Sequence, residues 1–364
     1  MTTTADTAAA STRRAAAERV RLSPRADAVT LALSSWLVIG LFVDGWAHNN
    51  LLELETFFTP WHALFYSGFT ACAGWIGWQV IRSQEVGRRG PAAVPVGYEL
   101  GVVGVVLFAL GGVGDFTWHQ VLGIEQDLDI LFSPTHLLLM TAIALIITSP
   151  LRSALTAPTG RDVPRLRTFL PPLLSITLLT ALVSLFFMYF SIFTDLQSPV
   201  ATEASAGPFG QYGESYFIIS GIATALVSNL ILVAPVLFLL KRWQPPFGAV
   251  TVLFTVVALM ANALTAFETV VTLIPAVLGG LAADLVISRL RPTPEQPWRF
   301  RIAGLLLGVP LFIAYYLVIG LTQGGGLVWA PEIVPGLVVY NALAGLVLAQ
   351  LMLPQPQTPA PAAG

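Results

Sequence analysis

Charged residues are scarce in this chain, and cysteine and histidine are scarcer still. Only 10 % of the 364 residues are Asp, Glu, Lys or Arg, whereas 55 % are hydrophobic. A soluble domain usually carries about a quarter charged residues. The composition therefore excludes an ordinary soluble protein and predicts an integral protein of the lipid bilayer.

The missing residue types also exclude several kinds of site. A single cysteine, Cys72, cannot build a disulfide framework or a cysteine-ligated zinc or iron-sulfur centre. The net charge is −2 and no basic patch occurs, so we expect no nucleic-acid partner. Nucleotide-binding fingerprints, a nucleophile elbow and a zinc-protease helix motif are likewise missing from the sequence.

Long apolar runs dominate the rest of the chain. A transmembrane helix needs about 20 mostly apolar residues, and the sequence predicts about ten such helices in an all-α fold. The predicted segments are 28–47, 60–81, 96–118, 134–150, 168–194, 215–240, 247–267, 269–288, 302–321 and 333–352.

Basic residues predict how these helices are oriented. All 18 Lys and Arg fall in the N-terminal tail or in alternate loops, and cytoplasmic loops are the ones enriched in such residues. Both termini should therefore be cytoplasmic in a multi-pass protein of the cell membrane, which we expect to be a bacterial plasma membrane. Residues 1–26 and 353–364 are predicted as disordered cytoplasmic tails, 27–152 as a region of hairpin repeats and 168–352 as an accessory bundle.

An internal repeat uses every histidine of the chain, on the predicted outer side. Each copy contains an Asp followed four residues later by a His, then a loop acid, then Ser/Thr-Pro-x-His. The first copy is Asp44, His48, Glu55 and Thr59-Pro60-Trp61-His62, and the second is Asp115, His119, Asp129 and Ser133-Pro134-Thr135-His136. Predicted helices one and two, and three and four, should therefore form equivalent hairpins.

The spacing of this repeat suits a metal site. Asp and His four residues apart share one face of a helix, and Ser/Thr followed by Pro is typical of a helix start. Each hairpin should thus bring an Asp-His-His set together, with Glu55 or Asp129 as an additional ligand or a general base. Imidazole and carboxylate ligands suit copper(II), zinc or iron. The two sets could form two mononuclear sites or merge into one dinuclear centre.

The second hairpin resembles the copper-site segment of one membrane subunit of the particulate methane and ammonia monooxygenases, the copper membrane monooxygenase family. The similarity lies in Asp115-Phe-Thr-Trp-His119-Gln120 and in Phe132-Ser133-Pro134-Thr135-His136. The first hairpin is similar to the second ligand set of that same subunit, with Asp44 in place of Asn. The spacing differs between His119 and His136, and the order of the two sets is reversed. The resemblance covers about 50 residues.

By this resemblance the divalent metal would be copper, bound by Asp115, His119 and His136 and by Asp44, His48 and His62. It implies a monooxygenase-like component that oxidises a small apolar substrate, together with other membrane subunits as partners. Two further functions fit the residues alone: a transporter or metal-handling protein, and an intramembrane metal-dependent hydrolase. Outside the repeat, Asp284 is predicted to be a structural group paired with nearby Arg289 or reaching toward the membrane edge.

Overall fold

The structure is a computed structural model in which helices account for all regular secondary structure of the described residues. It describes residues 19–51, 57–123, 129–157, 163–194, 196, 213–323, 326–327 and 329–354, with the backbone alone at 129–130 and 213–216. The predicted tails fall outside this part of the chain at 1–18 and 355–364. The predicted all-α class is thus confirmed for the described residues.

Thirteen α-helices lie in the described residues. In chain order, they are α1 Pro24–Asn50, α2 Pro60–Glu85, α3 Glu99–Leu122, α4 Asp129–Phe132, α5 Pro134–Ile147, α6 Ser149–Thr156, α7 Leu166–Phe186, α8 Gly213–Leu240, α9 Ala249–Leu264, α10 Leu273–Leu290, α11 Pro297–Leu307, α12 Val309–Thr322 and α13 Ile333–Met352. Short 3₁₀ turns occupy Gly90–Ala93, Met188–Phe190 and Val270–Thr272.

A helix covers most of each of the ten predicted segments, but fewer meet the requirements for a membrane span. Seven helical segments of the described chain are long and apolar enough to cross a membrane, or eight if the bent pair α5–α6 counts as one span. Helix α2 is long enough at 26 residues, but its tryptophans, His62 and Gln79 make it less apolar. Helix α9 has only 16 residues. A multi-pass helical membrane protein is therefore supported, whereas the number ten stays a prediction.

The chain forms two compact units. Unit 1 contains the chain up to Pro158 together with Arg165–Tyr189 and Val256–Val270, and therefore holds α1 to α7 and the second half of α9. Unit 2 contains Thr159–Pro164, Phe190–Thr255 and the chain from Val271 onward, and therefore holds α8, the first half of α9 and α10 to α13.

Glycines set the packing of the two hairpins in unit 1. Helices α1 and α2 pack closely at two glycines: a Cβ on Gly40 would lie 2.8 Å from Phe65 Cα, and one on Gly68 would lie 2.7 Å from Leu37 Cα. Since the later position on α1 faces the earlier position on α2, the two helices run antiparallel. In the α3–α5 pair, a Cβ on Gly111 would lie 3.0 Å from the Leu139 side chain. Small residues let transmembrane backbones approach closely. The ends of the paired helices are thereby held side by side.

The predicted helix over 134–150 is broken near its end. Helices α5 and α6 meet at Thr148 with a bend of 40°. Pro150 has no N–H to donate and therefore cannot continue the hydrogen-bond ladder. The guanidinium of Arg152 donates to the carbonyl of Leu145 at 2.7 Å, which satisfies one of the carbonyls near the break.

Asp284 has a different partner from the one that the sequence predicted. In unit 2 its carboxylate accepts hydrogen bonds from the backbone N–H groups of Val250 and Thr251, each at 3.0 Å, and from the Thr251 hydroxyl at 2.6 Å. These N–H groups begin α9 and have no partner within their own helix. Asp284 therefore caps α9, which confirms its predicted structural role, with the start of α9 as its partner in place of Arg289.

Candidate metal centre

The first ligand set lies at the junction of α1 and α2. Asp44 and His48 occupy the last two turns of α1, and His62 lies in the first turn of α2. Asp44 Oδ1 is 3.3 Å from His62 Nδ1, and Asp44 Oδ2 is 4.0 Å from His48 Nε2. The α1–α2 hairpin therefore brings together the three residues that the repeat predicted.

The second set has the same placement in the α3–α5 hairpin. Asp115 and His119 lie near the end of α3, and His136 lies in the first turn of α5. Asp115 Oδ1 is 3.5 Å from His119 Nε2 and 3.1 Å from His136 Nε2. One carboxylate oxygen is thus shared by two imidazoles.

The two sets adjoin each other. His62 groups with Asp44 and His48 and also with Asp115 and His119, and within each group one ligand atom per residue lies within 4.8 Å of the others. The ring centroids of His62 and His119 are 6.3 Å apart. Of the two arrangements that the sequence left open, a single merged cluster fits this geometry better than two separate sites.

Hydroxyl groups orient the two histidines at the helix starts. Thr59 accepts a hydrogen bond from the backbone N–H of His62 at 3.1 Å, and Ser133 accepts one from that of His136 at 3.4 Å. The same hydroxyls lie 2.9 Å from Nδ1 of His62 and of His136. The predicted helix starts at Thr59-Pro60 and Ser133-Pro134 are confirmed. A hydrogen bond on one ring nitrogen is the usual way in which a metal-binding histidine is oriented.

Two buried carboxylates that lack a Lys or Arg partner among the described residues are the strongest chemical feature of the cluster. Asp44 and Asp115 are 7 % and 1 % exposed, and within the described residues neither forms an ion pair with Lys or Arg. Burying an ionised carboxylate is costly unless an opposite charge or a metal compensates it. A bound divalent cation would supply that compensation.

Two ligand-type atoms in the cluster make no hydrogen bond with the described chain. They are Asp44 Oδ1, which lies 3.3 Å from His62 Nδ1, and His119 Nε2, which lies 3.5 Å from Asp115 Oδ1, and neither contact has hydrogen-bond geometry. Buried polar atoms normally have hydrogen-bond partners. Two buried ligand-type atoms without such a partner are therefore suited to bind a metal ion. The donor set contains oxygen and nitrogen and suits copper(II), zinc or iron. The residues present therefore fit the metal that the sequence predicted.

A small cavity adjoins the cluster. Its volume is about 70 Å³, and its walls combine Asp44, His62 and His136 with apolar side chains such as Leu41, Phe65 and Phe186. One water molecule takes about 30 Å³ of liquid volume. The cavity is therefore a few water molecules in size, and most of its walls are apolar.

Two further residues, Tyr66 and Met140, adjoin the cluster and were not predicted from the sequence. The Tyr66 hydroxyl donates to Asp115 Oδ2 at 3.1 Å, and the Met140 side chain lines the cavity. Each residue follows a motif histidine by four positions, Tyr66 after His62 and Met140 after His136, which puts it on the same helical face. The spacing of four residues could therefore have predicted both neighbours from the sequence.

The two predicted loop acids cannot be placed. Glu55 lies outside the described residues, and of Asp129, which begins α4, only the backbone is described. Their role as an additional ligand or general base therefore stays a prediction.

The fold and the site together define a multi-pass helical membrane protein with a buried Asp/His cluster at the ends of two adjacent hairpins. No protein-family model, curated protein or solved structure matches this chain.

Proposed function

We propose that this protein binds a divalent metal, with copper preferred, in the merged cluster of Asp44, His48, His62, Asp115, His119 and His136. One observation carries the proposal: two distant segments of the chain supply two groups of possible ligands that share His62, and His136 lies 3.1 Å from the buried Asp115 carboxylate. Ionisable clusters inside a membrane protein are costly and usually functional. Copper as the preferred metal rests on the resemblance of the two hairpins to the copper-binding segments of the monooxygenases.

We further propose that the metal serves the oxidation of a small apolar substrate. When bound, copper would supply one-electron redox chemistry and the activation of dioxygen. The protein's own part would be to hold the metal through ligands drawn from these six residues and to place beside it a small cavity with apolar walls such as Leu41, Phe65 and Phe186. The size and polarity of this cavity support the proposal.

Metal analysis of the purified protein tests the binding proposal. The variants are His62→Ala and His48→Ala, and the control is Asn49→Ala, which removes an exposed polar side chain next to His48. Because His62 belongs to both groups of ligands, we expect His62→Ala to lose most of the metal. His48→Ala should lose part of it, and Asn49→Ala none.

The outcomes separate the possible arrangements. Loss of one equivalent out of two in each single histidine variant would indicate two independent sites and contradict the merged cluster. Wild-type protein that retains neither copper, zinc nor iron after loading would overturn the metal proposal, and the histidines would then be structural.

An oxidation assay tests the proposed chemistry separately. Copper-loaded protein in lipid nanodiscs would be given ¹⁸O₂, a chemical reductant and a small alkene. A monooxygenase-type reaction places one oxygen atom in the product and reduces the other to water with two electrons from the reductant. We expect ¹⁸O in the product with wild-type protein and background levels with His62→Ala. Retained copper without product would instead favour the metal-handling alternative.

A further inference from the structure

A second and much larger cavity lies in unit 1, apart from the metal cluster. It is a groove of about 740 Å³ between α1, α7 and the part of α9 that follows Val256. Phe42, Val43 and Trp46 of α1 form one wall, and Leu178 and Leu259 contribute to the other two. Volumes of about 300–1,000 Å³ are typical of ligand pockets. The groove is thus large enough for an extended molecule, unlike the cavity at the cluster.

The lining of the groove excludes a polar ligand. Fourteen residues line it, and all except Ser35 and Thr177 are apolar or aromatic. The Thr177 hydroxyl is already used, because it donates to the carbonyl of Leu173 in its own helix at 2.8 Å. No charged residue contributes to the lining. The occupant must therefore be recognised mainly by apolar contact.

The groove matches one leaflet of a bilayer in length. Its lining on α1 extends from Ser35 to Trp46, which at about 1.5 Å per residue is roughly 16 Å along the helix. The hydrocarbon core of a bilayer is about 30 Å thick, so one leaflet contributes about 15 Å. Trp46 lies at the end nearer His48, and tryptophan is enriched where hydrocarbon meets headgroups.

A tight turn forms the same end of the groove. Ala266 and Phe267 line it and have left-handed backbone conformations, with φ of 49° and 65°, which are unfavourable for residues other than glycine. The Phe267 N–H donates to the Asn262 carbonyl at 2.9 Å, and the Thr269 hydroxyl donates to Asn262 Oδ1 at 3.0 Å. The turn after α9 is therefore fixed, and strained backbone of this kind is common at ligand sites.

We propose that this groove binds one acyl chain of a membrane lipid, from the leaflet on the side of the Asp/His cluster. The chain would lie along α1 with its headgroup end near Trp46. Its binding does not depend on the metal, because groove and cluster use different faces of α1. Gly45 lies between them, where a Cβ would be 3.2 Å from the Leu264 side chain and 3.7 Å from that of Leu185.

Photocrosslinking tests this proposal with the full-length protein. Metal-free protein in nanodiscs would contain a phospholipid with a diazirine midway along one acyl chain, and the crosslinked residues would be mapped by mass spectrometry. We expect crosslinks to concentrate on Val43, Leu259 and Met260. The Ala263→Phe variant, which adds a ring to the groove lining, should reduce these crosslinks at least fivefold.

A matched control keeps the test specific. Ala109→Phe adds the same ring to an exposed position of α3 outside the groove, and it should leave the crosslinks unchanged. Leu259→Trp provides a second way to fill the groove if Ala263→Phe does not purify as a monodisperse protein, because Leu259 is 45 % exposed and lies at the rim. Because Leu259 itself is replaced in this variant, its crosslinks should be counted at Val43 and Met260 only.

Three results would overturn the proposal. Crosslinks as dense on the exposed face of α3, at Val106 and Leu110, as in the groove would indicate only ordinary lipid contact. Groove crosslinks that persist in both filled variants would show that the chain does not enter. Crosslinks between two copies of the protein through the groove would identify a second copy as the occupant.

Discussion

Asp44 and Asp115 occupy the same position in the two hairpins but have different surroundings. Asp115 contacts His119, His136 and the Tyr66 hydroxyl, and it accepts a further hydrogen bond from Thr135 at 3.4 Å. Asp44 has two histidine neighbours, and its Oδ1 makes no hydrogen bond with the described chain. The Tyr66 and Thr135 hydroxyls, which are not among the proposed ligands, therefore help to hold the Asp115 carboxylate in one orientation, whereas Asp44 keeps more freedom to adjust to a ligand.

Tyr66→Phe tests the orienting role of this hydroxyl. Removing it leaves Asp115 Oδ2 without its donor, and loss of such an outer partner typically lowers metal affinity about 10- to 100-fold. We expect a fall of about tenfold in a competition titration with a chelator, while the number of metal ions bound at saturation stays the same. Tyr340→Phe, at an exposed tyrosine of α13 in unit 2, is the control. Unchanged affinity in Tyr66→Phe would show that Asp115 does not need this hydrogen bond.

Among the helices, the α1–α2 pair depends on close backbone contact for the geometry of the cluster. Gly68 of α2 approaches Leu37 of α1 so closely that a Cβ would lie 2.7 Å from Leu37 Cα. Backbone atoms cannot yield as a flexible side chain can, so any side chain at position 68 must push the two helices apart. His62 lies six residues before Gly68 on α2, and it would move away from Asp44.

Gly68→Ala tests this contact, with Gly77→Ala as a control on the same helix. Overpacking costs about 1–3 kcal/mol, so Gly68→Ala should lower the midpoint of thermal unfolding by several degrees and weaken metal retention. Gly77 has no neighbouring atom within 4 Å of an added Cβ. There, alanine should leave the midpoint equal or higher, because it favours helix by about 1 kcal/mol over glycine. Equal midpoints for the two variants would contradict the packing argument.

For the whole molecule, the sequence makes a sharp prediction of membrane topology. The lengths and apolarity of the helices do not decide the number of crossings. The pattern of basic residues predicts ten crossings, whereas length and apolarity support seven or eight in the described chain. Helices α2 and α9 make the difference. Helix α2 carries polar and aromatic side chains toward its neighbours, and α9 at about 24 Å is shorter than the hydrocarbon core.

Reporter fusions can decide between these counts. Fusions at residues 53, 125, 203 and 328 should report the outer side, and fusions at 88 and 242 the cytoplasm, if all ten segments cross. If α2 does not cross, the fusion at 88 will report the same side as the fusion at 53. The cluster is predicted at the outer face, and an inside signal at residue 53 or 125 would place it at the inner one.

The sequence alone is enough to predict the membrane environment, the helical segments and the six members of the cluster. These follow from local rules: apolar length, a spacing of four residues along a helix, and Ser/Thr-Pro helix starts, each of which depends on a few neighbouring residues. It could not determine whether the two ligand sets meet, because that depends on how α2 and α3 lie beside each other. Nor could it reveal that Tyr66 donates to Asp115 or that Asp284 caps α9. The same holds for the groove, which the part of α9 from Val256 onward forms with α1 and α7 in unit 1. Contacts between residues 34 to more than 200 positions apart are selected by side-chain shape and close packing, and those shapes meet only in the folded protein.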